Sequence, residues 1–227
     1  TMTCSEAIAL SMKDRLRQIP SLKAPLPECD PLALPDTPQD AFALWLDDAL
    51  DAGIREPHAM TLSTVDENGW PDARMLILKN LDKRGWHFAV KAESPKGRQI
   101  ENRSHVALTF YWSALGRQVR LRGPAIMLSD GECAEDFLDR PVSSRASAIA
   151  SRQSEILEPG EGLESRMAEA QALIAANPDY VSPGWRVYAV APVVAEFWQG
   201  ASDRNHKRLR YVLSGDSVTW DRSLLWP

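Results

Sequence analysis

The residues best equipped for chemistry crowd together in Glu196-Phe197-Trp198-Gln199-Gly200-Ala201-Ser202-Asp203-Arg204-Asn205-His206-Lys207-Arg208. Aromatic surfaces, a glycine turn and an Arg-x-His-x-Arg triplet stand side by side there. Arginine stacks on ring faces and grips phosphate or carboxylate through a planar fork, while histidine exchanges a proton near neutral pH. That combination suits a flat, anionic molecule. The same residue types would also serve a plain surface hairpin with its aromatics in the core and its cations in water, so the site needs support from elsewhere. Four other clusters offer functional groups: Arg74-Met75-Leu76-Ile77-Leu78-Lys79, Ser94-Pro95-Lys96-Gly97, Arg117-Gln118-Val119, and Arg140-Pro141 with Ser144 and Gln153-Ser154. Backbone N–H groups of a helix opening at Ser94, with Lys96 beside them, suit a phosphate. Arg74 and Lys79 fall on opposite faces of an ideal strand, so a bulge, a twist or a strand end must intervene if both serve one site.

The elements that must position these groups follow from periodicity. Thr37 with Asp40 reads as a helix cap, and Phe42, Leu44, Trp45, Leu46, Ala49, Leu50 and Ile54 form one apolar stripe ending near Gly53. Alternation over Ala59–Val65, a turn at Asp66–Gly69, an extended run Trp70–Lys79, a second turn at Asp82–Gly85 and a strand Trp86–Val90 predict an antiparallel meander. A short helix from Ser94 through Asn102 precedes a long hairpin, His105–Trp112 with Arg117–Ser129. Helices are predicted over Asp130–Leu138, Ser144–Ser154 and Gly162–Ala176, and strands over Trp185–Val190, Val193–Trp198, Arg210–Leu213 and Ser217–Asp221. The fold class is therefore mainly β with inserted helices (α+β), an antiparallel barrel or curved sheet. Without a βαβ rhythm or a GxGxxG run, a Rossmann domain is disfavoured.

At 227 residues the chain suits one domain, 36–227, preceded by an arm, 1–35, broken by Pro20, Pro25, Pro27, Pro31 and Pro35. Such an arm is either disordered or folds across a partner or an active site. The formal net charge of −5 excludes broad binding to nucleic acid or an anionic membrane, so any anion site must be a local pocket. With no apolar run near the ~18 residues of a membrane span and no signal pattern, the expected location is cytoplasmic. Cys4, Cys29 and Cys133 are odd in number and lack a CxxC pair, which predicts reduced thiols and no metal site.

In order and spacing the clusters resemble the pyridoxine (pyridoxamine) 5'-phosphate oxidase family from about Asp47 to Pro227. The matching stretches are Arg-x-x-x-Leu-Lys at Arg74, Ser-x-Lys-Gly at Ser94, Arg-Gln-Val at Arg117, Arg-Pro at Arg140, Ser-x-Gln-Ser at Ser151, and Glu-Phe-Trp-Gln-Gly with Arg-x-His-x-Arg at Glu196–Arg208. The resemblance implies an FMN-binding split β-barrel and a homodimer with cofactor sites at its interface. It also implies reoxidation of the reduced flavin by O2, with residues from about 180 to 227 forming the dimerisation and substrate region. It assigns Arg74, Lys96 and Ser154 to the phosphate and ribityl end of FMN, and Gln118, Gln153, Trp198 and Arg208 to the rest, with Met75, Leu76, Ile77, Leu78 and Lys79 along the same segment. Lys79, Arg140 and Ser144 are implied for a substrate phosphate, and Arg204 and His206 as the catalytic pair over the substrate ring.

The chain departs from the family pattern around the substrate. Asp136 stands where the family places a tyrosine ligand of the substrate phosphate, and a carboxylate there repels a phosphate. Ala89-Val90 replaces Tyr-Thr, Pro95 replaces a basic residue, Gly184-Trp185-Arg186 shortens a Trp-Gly-Gly-x-Arg run, and the arm lacks the basic, tyrosine-containing lid. The expected activity is oxidation of pyridoxine or pyridoxamine 5'-phosphate with release of H2O2. The alternatives are an oxidase of another flat anionic heterocycle, such as a dihydrophenazine carboxylate, or a flavin-binding module without turnover.

Overall fold

The computed structural model describes residues 11–227; Cys4 and the first ten residues of the arm lie outside the described residues. The first core element is α2 (Pro38–Asp51), after the one-and-a-half-turn α1 (Met12–Arg17). Thr37 caps α2 by accepting from the Asp40 N–H at 3.2 Å, and Pro38 occupies the first turn, where a missing N–H costs nothing. Its buried face carries Ala41, Phe42, Trp45 and Ala49. Phe42 meets Phe110 at 4.7 Å and Trp86 at 5.6 Å between ring centroids, and Trp45 meets Phe197 edge-on at 5.2 Å. Burying rings of this size stabilises by roughly 1.5–3 kcal/mol each, which locks α2 onto the sheet.

The strands are β1 (Ala59–Val65), β2 (Pro71–Ile77), β3 (Asn80–Asp82), β4 (Gly85–Lys91), β5 (His105–Trp112), β6 (Arg117–Met127), β7 (Trp185–Val190), β8 (Val194–Gln199), β9 (Lys207–Leu213) and β10 (Trp220–Leu224). All pairings are antiparallel. One run of neighbours is β10-β9-β8-β6-β5-β1-β2. β6 is long enough to belong to two sheets: Arg117–Arg122 pairs with β8, and Ala125–Met127 pairs with β7, which continues through β4 to β3. The sheet thus curls from β2 round to β3 and forms a half-barrel. Its interior is filled by Met60, Leu62, Trp86, Phe88, Phe110, Val119 and Phe197, the inward positions of each alternation.

Three helices clothe the other side. α4 (Asp130–Leu138), opened by a capping box at Ser129, packs Cys133 and Phe137 on Trp185, Val187 and Ala189 of β7. α5 (Val142–Ala150) and α6 (Leu163–Ala176) pack on each other through Ala146, Ala150, Ala170 and Ile174. α3 (Pro95–Asn102) bridges β4 and β5. No helix among the described residues is long and apolar enough to cross a membrane. Cys29 and Cys133 are free thiols.

The structure corrects several boundaries. β3 was hidden within the polar turn after Lys79, because three residues are too few for an alternation to register. The helix expected to run from Ser144 to Ser154 stops at Ala150: Ser151 is extended and Ser154 has φ 68°, which no helix accommodates. The final strand is shifted to Trp220–Leu224, where Trp220 covers the core. Residues 11–20 of the arm are exposed, and the arm packs on the barrel from Leu22 onward. Tyr211 donates to the Pro35 carbonyl and Arg222 to that of Leu34, each at 2.7 Å, and Leu22 and Leu26 rest against Gly116.

Candidate functional site

The clusters separate into three groups. The first gathers at the start of α3. Ser94 accepts from the Gly97 N–H at 3.2 Å and fixes the turn, Pro95 presets the first helical residue, and Lys96 projects from it, 7 % exposed. The Lys96 ammonium donates to Gln153 Oε1 at 2.8 Å. Burial pushes the Lys96 pKa down, and Arg74 and Lys91 push it further. Arg74 reaches inward from β2 to Thr64 Oγ1 at 2.6 Å and the Leu62 carbonyl at 3.3 Å, and touches Gln99 of α3 and Asp72. Lys91, a residue the sequence reading passed over, donates to the Ser151 carbonyl and holds the loop that carries Gln153 and Ser154. Gly97 is required: a Cβ there would sit 2.3 Å from the Lys91 carbonyl oxygen.

The second group lies on the outer face of the sheet. Register places Gln118 opposite Trp198, and Trp198 opposite Arg208, as one row across β6, β8 and β9. Arg208 is held by Glu196, its Nε donating to Oε1 at 2.9 Å, and by the Trp226 carbonyl; Arg120 takes the other oxygen of Glu196 at 2.8 Å. Burial pushes the Glu196 carboxyl pKa up, but hydrogen bonds from Arg120 and Arg208 overcome this and leave it below the usual range. Glu196 was absent from the residues expected to act. The signal was in the alternation, which puts Glu196, Arg120 and Arg210 on the face of Trp198.

Beyond this row the chain turns at Gly200, whose bare α-carbon admits Leu22 of the arm and the Trp198 ring; a Cβ would lie 2.6 Å from the former and 2.8 Å from the latter. The His206 ring sits 4.8 Å from Trp198, and its Nδ1 accepts from the Ala201 N–H at 3.1 Å, which leaves Nε2 as the N–H of the neutral ring. Arg204 has φ 69° and is exposed, with one nitrogen 3.4 Å from Ser21 Oγ. This loop and the arm wall two clefts of about 500 Å³ and 520 Å³.

The third group lies on the helical side. Between β2 and β3 the backbone changes partner, Leu78 N–H bonding His58 and Lys79 N–H bonding His87. Arg74 therefore faces α3 while Lys79 faces α4, where its ammonium lies 3.0 Å from Asp136 Oδ1. The other oxygen of Asp136 accepts from Trp185 Nε1 at 2.8 Å. Arg140 stacks on the Trp185 ring at 4.2 Å, and its buried Nη1 has no hydrogen-bond partner among the described residues. Burial lowers the Arg140 pKa, against the pull of Asp136. Ser144 is in the first turn of α5. Trp185 is a third participant that periodicity read only as a strand residue.

Among the expected residues, Arg74, Lys96 and Gln153 are thus brought to one region, with Ser154 next to Gln153 in an exposed loop, Gln118, Trp198 and Arg208 to another, and Lys79 and Arg140 to a third. Met75 and Ile77 point outward from β2, 62 % and 40 % exposed, whereas Leu76 and Leu78 pack on the core. Among the described residues no hydrogen bond or ion pair joins the first group to the second.

Comparison with known proteins supplies the relationship. The model of the family described as pyridoxamine 5'-phosphate oxidase matches residues 46–182, and that of the pyridoxine 5'-phosphate oxidase C-terminal dimerisation region matches residues 185–227. A pyridoxine/pyridoxamine 5'-phosphate oxidase from Thermosynechococcus vestitus is 42 % identical over 195 residues, covering 85 % of this chain and 90 % of its own. One from Herminiimonas arsenicoxydans is 40 % identical over 205 residues, covering 90 % and 95 %. The crystal structure of PhzG from Burkholderia lata, in complex with tetrahydrophenazine-1-carboxylic acid, superposes with a TM-score of 0.83 at 31 % identity over 89 % of this chain and 99 % of that one. With both family models spanning nearly the whole described domain, the chain belongs to the pyridoxamine 5'-phosphate oxidase family of FMN-dependent oxidases.

Proposed function

We propose that this chain is an FMN-dependent oxidase of a flat, anionic heterocycle, with pyridoxine or pyridoxamine 5'-phosphate, the compounds in its relatives' names, as the first substrates to assay. The observation that carries the reading is the buried Lys96 ammonium beside Arg74 at the opening of α3. It is a cationic cradle in which burial first, and then Arg74 and Lys91, push the Lys96 pKa down. A phosphate dianion would restore the balance. Lys96, Arg74, Gln153 and Ser154 would hold that phosphate, and the Gln118–Trp198–Arg208 row would lie against the ring system. FMN held there would supply the hydride-accepting flavin and, through O2, the route by which the electrons leave as H2O2.

The protein's own groups divide the remaining tasks. Arg204 covers a ring face and holds the substrate flat, and the His206 Nε2–H donates to, or relays a proton from, a polar substituent. The Ala201 N–H fixes the imidazole tautomer for that role. Lys79, Arg140 and Ser144 receive the substrate's anionic group.

The reading also requires a homodimer. Along the sheet β8 and β2 are separated by β6, β5 and β1, a path of roughly 19 Å, and Trp198 faces outward where Arg74 faces inward. Two copies pairing by their outer faces would cover the exposed Met75, Ile77 and Tyr111. The matched dimerisation region supports this. Gel filtration with light scattering should return twice the chain mass of 25.3 kDa.

The Lys79–Asp136 ion pair favours a second form of the reading, in which the substrate carries an anion other than phosphate; the PhzG neighbour was crystallised with a carboxylate ligand. Anaerobic mixing of the flavin-loaded protein with pyridoxamine 5'-phosphate tests the function. Bleaching of the flavin spectrum, followed by oxygen uptake on aeration, is the expected result. Tight FMN with no bleaching by any heterocycle would indicate a flavin-binding module, and failure to take up FMN would overturn the reading.

A further inference from the structure

We propose that Asp136 tunes the Lys79–Arg140 pocket to a singly charged anion, a carboxylate on a flat heterocycle, and disfavours phosphate esters. The inference rests on the reading of the chain as a flavin oxidase whose substrate anion meets Lys79, Arg140 and Ser144.

The argument is a local charge count. Lys79 and Arg140 contribute two positive charges, and Asp136 removes one, its Oδ1 lying 3.0 Å from the Lys79 ammonium. A phosphate ester carries about −1.5 to −2 at neutral pH and a carboxylate −1, so the pocket's sum of +1 balances the carboxylate and leaves the ester in excess. The Lys79–Asp136 pair is only partly solvated, the two side chains being 32 % and 17 % exposed, so the repulsion is not screened away.

The carboxylate is also held in place. Trp185 Nε1 donates to Asp136 Oδ2 at 2.8 Å, and the same indole stacks under Arg140 at 4.2 Å. Lys79, Asp136, Trp185 and Arg140 form one chain of contacts, in which Asp136 cannot swing away without orphaning the buried indole N–H. The Arg140 Nη1 stays buried and without a hydrogen-bond partner among the described residues, one cation free to meet one anion. Two matched donors on a planar guanidinium suit a planar carboxylate.

The alternative is that Asp136 merely anchors Trp185. Asp136→Asn separates the two, because asparagine keeps an acceptor for the indole and loses only the charge. The measurement is calorimetric binding to the FMN-loaded protein of a matched pair on one ring, pyridin-3-ylacetate and pyridin-3-ylmethyl phosphate. The wild type should bind the acetate more tightly, and D136N should move the ratio of the two dissociation constants toward the phosphate by about tenfold or more. Lys79→Met, which leaves Asp136 facing Arg140 with no net charge, should weaken the acetate by a similar factor. A wild type that prefers the phosphate, a D136N ratio within twofold of wild type, or binding of neither ligand would overturn the inference while the flavin remained bound. A protein that takes up no FMN is recognised by its lack of colour, and overturns the parent reading together with this one.

Discussion

Two cationic regions lie on either side of the β2–β3 bend, and they differ in one respect. Lys96, beside Arg74 and Lys91, has among the described residues only a neutral amide as its hydrogen-bond partner, and its pKa is lowered by burial and by its neighbours. Lys79, beside Arg140, has a carboxylate built in. The first is the group we propose to hold a phosphate; the second is already half neutralised. Similar residue types, read as a list, would call both phosphate sites. Their partners differ, and the proposed division rests on that difference.

The comparison can be broken most severely at its scaffold. Gly97→Ala would drive a Cβ into the Lys91 and Ala92 carbonyl oxygens, 2.3 and 2.6 Å away, so α3 must shift. A loss of about 3 kcal/mol or more in denaturant unfolding is expected, together with loss of FMN. Next in size, Lys96→Met removes the buried cation and should weaken FMN by about 30- to 100-fold in a fluorescence titration, the worth of one charge-assisted hydrogen bond. Glu196→Gln should have a smaller effect, about three- to tenfold weaker FMN. It loosens Arg208 without removing it and leaves the phosphate cradle intact.

The smallest effect is one of pH. Bound phosphate favours protonated Lys96, whose pKa without ligand lies below the ordinary lysine range. FMN affinity should therefore be full while Lys96 is charged, fall as pH rises through that lowered pKa, and lose this dependence in Lys96→Met. A midpoint at or above the ordinary lysine value would remove the distinction between the two regions.

Much of this was legible in the sequence because periodicity and caps are local. The Thr37 cap, the alternation of β1 and the Ser94-Pro95 helix start all appear where their residue types require. The site motifs were also visible, as chemistry and as a family resemblance. What was not visible came from long-range geometry. The five-residue separation of Arg74 and Lys79 predicted opposite faces, but not that the backbone would exchange β1 for β4 between them and send the two cations to different helices. Alternation puts Glu196 on the face of Trp198, but its clamping of Arg120 and Arg208 depends on the register of β8 against both β6 and β9. Nor could Asp136 be seen to hold Lys79 and Trp185, residues far from it in sequence.

The most direct test of the division between cofactor and substrate groups is FMN titration and turnover measured side by side in Lys96→Met and Arg204→Ala. Lys96→Met should lose FMN affinity, and Arg204→Ala should keep FMN bound while turnover falls. The reverse pattern, with FMN lost in Arg204→Ala and retained in Lys96→Met, would contradict the account.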